Sequence, residues 1–160
     1  MEDLSRWLAP TGSMCMDDPR IRDLSRSIAS GARDDREASR LLFEHVRDRI
    51  EYSIYVPFFL MEHYRATAII ERGWGYCVQK AVVLCALARS AGIPARLVFA
   101  DIRNMLTPRS VVRVMGKNLF VYHCYVEMHV GGRWLQATPS FDRKLCEKHG
   151  YPLVEYDGTR

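Results

Sequence analysis

The chain has 160 residues, 48% of them hydrophobic and 26% charged, with a formal net charge of +4 at pH 7. A chain of this size and mix fits one globular domain that buries about two-thirds of its unfolded surface. The arginines are scattered with no basic stripe interleaved with aromatics, no run nears the roughly 20 apolar residues of a membrane span, and MEDLSRWLAP lacks a signal peptide's apolar core, so neither nucleic acid nor membrane is an expected partner.

Residues 1–16 read as irregular, with a turn at Pro10-Thr11-Gly12. Asp17 or Asp18 followed by Pro19 is a helix start, and Ile21, Leu24 and Ile28 supply an apolar stripe up to Gly31. Asp34-Asp35-Arg36-Glu37 has the form of a capping box and opens a second helix, in which Ala38, Leu42, Val46 and Ile50 recur at spacings of four. A short third helix over Thr67–Arg72 leads into the turn Gly73-Trp74-Gly75. A fourth, strongly apolar helix occupies about 77–91 and is stopped by Gly92 and Pro94.

Beyond that point the apolar period changes from that of a helix to that of a strand. Ala95–Ile102, Val111–Met115, Leu119–Val130 and Arg133–Ala137 read as strands, divided at Thr107-Pro108, Gly116-Lys117-Asn118 and Gly131-Gly132. The tail from Arg143 to Arg160, with Pro152 and little periodicity, reads either as an ordered cover over the sheet or as the start of a longer segment. Helices first and strands second predict an α+β fold, with N-terminal helices packed on a C-terminal antiparallel sheet. No internal repeat or linker divides the chain, so a single domain over 1–160 is expected.

The chemistry concentrates in residues 73–96, GWGYCVQKAVVLCALARSAGIPAR. A glycine-punctuated turn delivers Cys77 to the first turn of the fourth helix. Free N–H groups and the positive dipole end there favour a thiolate and offer hydrogen bonds to an oxyanion. His123, in the strand LFVYHCYVEMHV, is a candidate base. A nucleophile at a helix start and a base on a distant strand is a common assembly of cysteine–histidine sites.

These segments resemble the transglutaminase-like superfamily, a branch of the papain-like cysteine enzymes. The resemblance rests on Gly75-Tyr76-Cys77, the helix body Ala81–Leu87, the run from Ala88 to Arg96, His123-Cys124-Tyr125-Val126-Glu127 and Gly132-Arg133-Trp134, and it covers about residues 35–145. It implies a papain/transglutaminase-like core and a catalytic Cys77 and His123. The family's usual aspartate, four residues after that tryptophan, is replaced by Thr138 in Thr138-Pro139-Ser140. Thr138 is therefore the positional candidate for the third catalytic residue, with Asp142 as the alternative if the chain curls after Pro139.

Each candidate has a plainer reading. Cys85 and Cys124 read as core packing, the latter on the strand face opposite His123, while His129 shares the face of His123 but lies beside the Gly131-Gly132 turn. Trp74, Tyr76 and Tyr125 are candidates for binding substrate; Trp74 and Tyr76 serve equally well to anchor the turn by packing. Lys80 reads as an exposed helix lysine of little electrostatic effect on Cys77. Five cysteines (15, 77, 85, 124 and 146) with no C-x-x-C argue against a disulfide framework and a zinc site, so no metal or cofactor is expected and a reducing cytoplasm is the simplest location.

Three functions from different classes fit. In the first, Cys77 and His123 as a thiolate pair perform acyl transfer on a small-molecule or peptide acyl substrate, with water or an amine as acceptor. In the second, the same pair carries out addition, elimination or cyclisation on a small biosynthetic intermediate. The third is a degenerate binding domain, favoured by the replaced aspartate and opposed by retention of both Cys77 and His123. Substrate identity and oligomeric state are not encoded in any feature of the sequence.

Overall fold

The structure, a computed structural model, describes residues 3–103, 105, 109, 112, 113 and 116–159. Asp18 caps helix α1 (Pro19–Ala29), its carboxylate accepting from the N–H of Arg20 at 2.9 Å. Asp34 caps α2 (Asp35–Arg49) by accepting from the N–H of Glu37. The Glu37 carboxylate reaches back one residue further than a capping box requires, to the N–H of Arg33 at 3.0 Å. The short α3 (Ala66–Arg72) ends on Gly73 at φ 82°, a left-handed conformation that glycine adopts without steric cost.

Helix α4 (Cys77–Ser90) is the central element, with every residue from Gln79 to Arg89 buried. It packs against α1, α2, α3 and the sheet, so it has no solvent face, as its all-round apolar sequence requires. The sheet runs β3 (Ala95–Ile102), β4 (Phe120–Val130), β5 (Arg133–Ala137) in that spatial order, antiparallel throughout. Gly131 and Gly132, both at positive φ, close the β4–β5 hairpin. Along β4 the side chains of Cys124, Val126, Met128 and Val130 are buried, and the intervening His123, Tyr125, Glu127 and His129 are half-buried. This is the alternation expected of a strand with one face on the core.

The α+β order and three of the four predicted strands are present with nearly the predicted ends. The turn predicted at Thr107-Pro108 lies outside the described residues. So does most of the strand predicted over 111–115, whose two described members, Val112 and Arg113, are helical. The tail, where the sequence shows little periodicity, contains a further helix. Asp142 caps a helix α5 (Arg143–His149), ended by Gly150 at φ 67°. A pair of two-residue strands, β1 (Glu51–Tyr52) and β2 (Trp74–Gly75), joins the end of α2 to the turn before α4 in parallel. Among the described residues no helix is long and apolar enough to cross a membrane.

Candidate active site

Cys77 is the first residue of α4, after Tyr76 in an extended conformation whose side chain does not cap the helix. Its sulfur lies against β4, close enough to feel the backbone N–H of Cys124, together with those of Val78 and Cys77 itself. His123 precedes Cys124 on β4, and Thr138 follows the last residue of β5. Cys77, His123 and Thr138, far apart in sequence, line one cavity of about 740 Å³.

The sequence predicts a preformed thiolate, and burial acts against it. Burial is the largest influence on Cys77 and pushes its thiol above the usual value, against the opposite pull of the three N–H groups. Burial also pushes the His123 imidazole below its usual value. Both shifts favour the uncharged forms. Deeper burial sets the two core cysteines apart, Cys85 and Cys124 being pushed up to about 12.

The other candidates separate by position. Tyr76 lines the cavity and is also anchored, its hydroxyl 2.9 Å from that of Tyr64, so both readings of it hold. Burial, followed by this hydrogen bond, pushes its phenol well above the usual value. Trp74 is 44% exposed and is not among the lining residues. Tyr125 is not among them either, its hydroxyl instead accepting from Gln136 Nε2 at 3.4 Å. Neither is placed to bind a substrate in this cavity. His129 packs edge-on against Trp134 at 5.2 Å, away from Cys77 and Thr138.

Asp142 is neither a solvated turn residue nor a wall of the cavity. It is 3% exposed, and one carboxylate oxygen accepts from the N–H of Leu145 at 2.8 Å while the other accepts from that of Tyr52 at 2.7 Å. Both oxygens are therefore committed to capping α5 and fixing β1. Lys80, expected on the surface, is fully buried. Its ammonium donates to the carbonyls of Arg47 at 2.9 Å and Ile50 at 2.6 Å, across the C-terminus of α2. Desolvation lowers its pKa to about 7, against the pull of Asp142 and Asp48.

Two further residues escape the sequence reading. Gln79, also fully buried, donates through Nε2 to the carbonyls of Pro57 at 2.9 Å and His63 at 3.2 Å, and its Oε1 accepts from Arg72 at 3.1 Å. It pins to α4 the irregular segment that supplies Ile54, Val56 and Phe58 to the cavity wall. Ser140 lines the same cavity, and its Oγ is buried without a hydrogen-bond partner. The signal for Gln79 is the helix itself: an apolar circumference implies that its polar members are buried too. Among the described residues no three His, Cys, Asp or Glu side chains cluster as a metal ion would require.

Comparison with known proteins places this geometry. The sequence profile of the transglutaminase-like superfamily matches residues 22–139. A comparison with curated protein sequences finds no match. Among solved structures, the chain is similar to a protein of Cytophaga hutchinsonii taken to be a cysteine protease, with a TM-score of 0.69 and 18% identity over 93% of this chain and 45% of that one. It is also similar to the periplasmic domain of TgpA from Pseudomonas aeruginosa, with a TM-score of 0.60 and 22% identity over 85% of this chain and 46% of that one. The chain thus spans less than half the length of these two neighbours, and at such identities the likeness is one of fold.

Proposed function

The chain belongs to the transglutaminase-like superfamily, and on that premise we propose that it is a cysteine enzyme of acyl transfer, with Cys77 as nucleophile and His123 as acid–base. The observation that carries this reading is the meeting of Cys77, His123 and Thr138 on one cavity, from the start of α4, the middle of β4 and the end of β5. In the proposed first step His123 takes the thiol proton as Sγ attacks the substrate carbonyl carbon, forming the S–C bond. The oxyanion formed faces the first-turn N–H groups of α4, which no side chain caps. The carbonyl then re-forms as the bond to the leaving group breaks, and His123 returns the proton to that group.

In the second half His123 takes a proton from water or an amine as it attacks the thioester, and the thiol is reprotonated. Because burial favours the neutral form of both groups, His123 acts in this scheme as a general base and not as the counter-ion of a stored thiolate. Thr138 is proposed to orient the imidazole through its hydroxyl. Five free cysteines support a reducing compartment, the cytoplasm, as its location. One observation favours a second reading, a binding domain without turnover: the burial that holds the thiol in its unreactive form.

The test is labelling by iodoacetamide across pH 6–9, with adducts located by mass spectrometry in the native protein and in His123→Ala. Cys77 is expected to react ahead of the buried Cys85 and Cys124, and more slowly once His123 is removed. Equal labelling of Cys77 with and without the imidazole would leave the binding-domain reading in its place.

A further inference from the structure

Among the described residues, the wall of the cavity that holds Cys77 has His123 as its one histidine and no acidic, lysine or arginine side chain, although 26% of the chain is Asp, Glu, Lys or Arg. A charged group entering it would shed its hydration and find no ion to replace it. Its volume of about 740 Å³ is that of a small-molecule site. Ile54 (62% exposed), Phe58 (49%), Val121 (54%) and Val154 (44%) stand open to solvent while forming its wall. Large apolar side chains gathered at the mouth of a cavity, and not scattered singly, mark a surface shaped for an apolar ligand.

We infer that the substrate delivers to this cavity an uncharged, apolar acyl group, whose chain lies along Ile54, Phe58, Val121 and Val154 with its carbonyl carbon at Cys77. This deepens the acyl-transfer reading and rests on it. It excludes from the cavity the ammonium of a lysine side chain and the carboxylate of a dicarboxylic acyl group. The covalent step is unchanged: the Cys77 Sγ–acyl bond forms, the acyl bond to the leaving oxygen, nitrogen or sulfur breaks, and the thiol proton passes to His123.

The experiment compares kcat/KM for 4-nitrophenyl acetate, butyrate, hexanoate and octanoate, and for the 4-nitrophenyl monoester of glutarate. Here 4-nitrophenolate leaves as the anion. Burial of each added methylene predicts a gain of about fourfold, and the glutarate ester should fall at least tenfold below the uncharged ester of like length. Ile54→Lys, a change at an exposed position, is expected to flatten the chain-length series and to raise the glutarate ester relative to hexanoate. In parallel, binding of the uncharged fluorophore N-phenyl-1-naphthylamine is measured on Cys77→Ala, which needs no chemistry.

A series that rises with chain length and flattens in Ile54→Lys supports the inference. Turnover of every ester at one rate overturns it while leaving acyl transfer standing. Fluorophore binding that Ile54→Lys weakens, with no ester turned over by the native protein, sinks acyl transfer and keeps the apolar ligand class. An unchanged series in Ile54→Lys, or neither turnover nor binding, overturns the inference.

Discussion

The cavity has two walls built in different ways. One is the sheet, where Ile102, Phe120, Val121 and His123 sit on strands held by an antiparallel ladder whose register shifts once, between Ala100 and Ile102. The other is Tyr52 at the end of β1 and irregular backbone over residues 53–58, together with Phe141, Pro152 and Val154. Irregular backbone has no ladder, so its buried polar groups need partners from elsewhere. Three buried side chains serve this wall: Gln79 accommodates the carbonyls of Pro57 and His63, Asp142 the N–H of Tyr52, and Lys80 the carbonyl of Ile50. Two of them lie on the first turn of α4, immediately after the candidate nucleophile. That turn therefore presents a thiol to the cavity on one side and fastens the opposite wall on the other. The sheet wall is secured by repetition and the irregular wall by individual residues, so single substitutions should break the second far more easily than the first.

Asp142→Ala is expected to have the largest effect on the irregular wall. It removes the cap of α5 and leaves the buried N–H of Tyr52 unpaired, a loss of about 2–4 kcal/mol in urea unfolding. Asp142→Asn retains one acceptor oxygen and should lose about half as much. A loss below about 0.5 kcal/mol for Asp142→Ala would mean that its two hydrogen bonds do not hold β1 and α5 together.

Gln79→Leu fills nearly the same volume but leaves the carbonyls of Pro57 and His63 without their buried donor. The expected loss is about 1–3 kcal/mol, and the location matters more than the size. Amide hydrogen exchange should accelerate across residues 54–64 and stay unchanged in β3, β4 and β5. Exchange that quickened equally in the sheet would erase the distinction between the two walls.

Lys80 gives the comparison a pH dependence. In the unfolded chain it keeps its proton up to the usual lysine value near 10.4, and in the fold only up to about 7. Between those values the unfolded state binds the extra proton, so stability rises with pH by at most about 1.4 kcal/mol per unit, and below about 7 the penalty is present in full. Cys85 and Cys124, raised by burial, act in the opposite sense above about 8.5, which leaves pH 7–8 as the window for the measurement. Lys80→Met should flatten the rise between urea curves at pH 7 and pH 8. An equal slope in native protein and variant would assign the rise to other groups.

What the sequence revealed follows the same division. Caps and periodicity found α1, α2 and α4, and the two-residue alternation found β3, β4 and β5, because these elements are long enough for a pattern to repeat. Helix α5 has a single buried side chain, Cys146, and hence no stripe, and its cap, Asp142, reads equally well as a catalytic carboxylate. The β1–β2 pair is two residues long, too short for any alternation to repeat. Cys77 and His123 were legible through the motifs around them. Lys80 and Gln79 were not, since a polar residue within a helix ordinarily marks its solvent face, and only the apolar circumference of α4 says that it has none. The pull of burial on Cys77 was also out of reach, because a helix start favours the thiolate and burial, which the sequence does not report, favours the thiol.

Thr138 offers the smallest effect and the finest test of the sheet wall. It follows β5 directly, lines the cavity with Cys77 and His123, and is half-buried. If its hydroxyl orients His123, Thr138→Val keeps the shape and removes one neutral hydrogen bond, about 0.5–1.5 kcal/mol, a loss of roughly two- to tenfold in kcat on a 4-nitrophenyl ester with KM nearly unchanged. Its stability in urea should stay within about 0.5 kcal/mol of the native protein, since the ladder of β5 does not involve this side chain. In the same arrangement, Thr138→Asp would turn a carboxylate toward an imidazole whose pKa burial lowers. The charge should raise the pKa of His123 and move the acid limb of the pH–rate profile upward, because a carboxylate favours the imidazolium that forms when the thiol proton is transferred. A profile unmoved by Thr138→Asp, together with full activity in Thr138→Val, would leave Cys77 and His123 working as a pair without a third member.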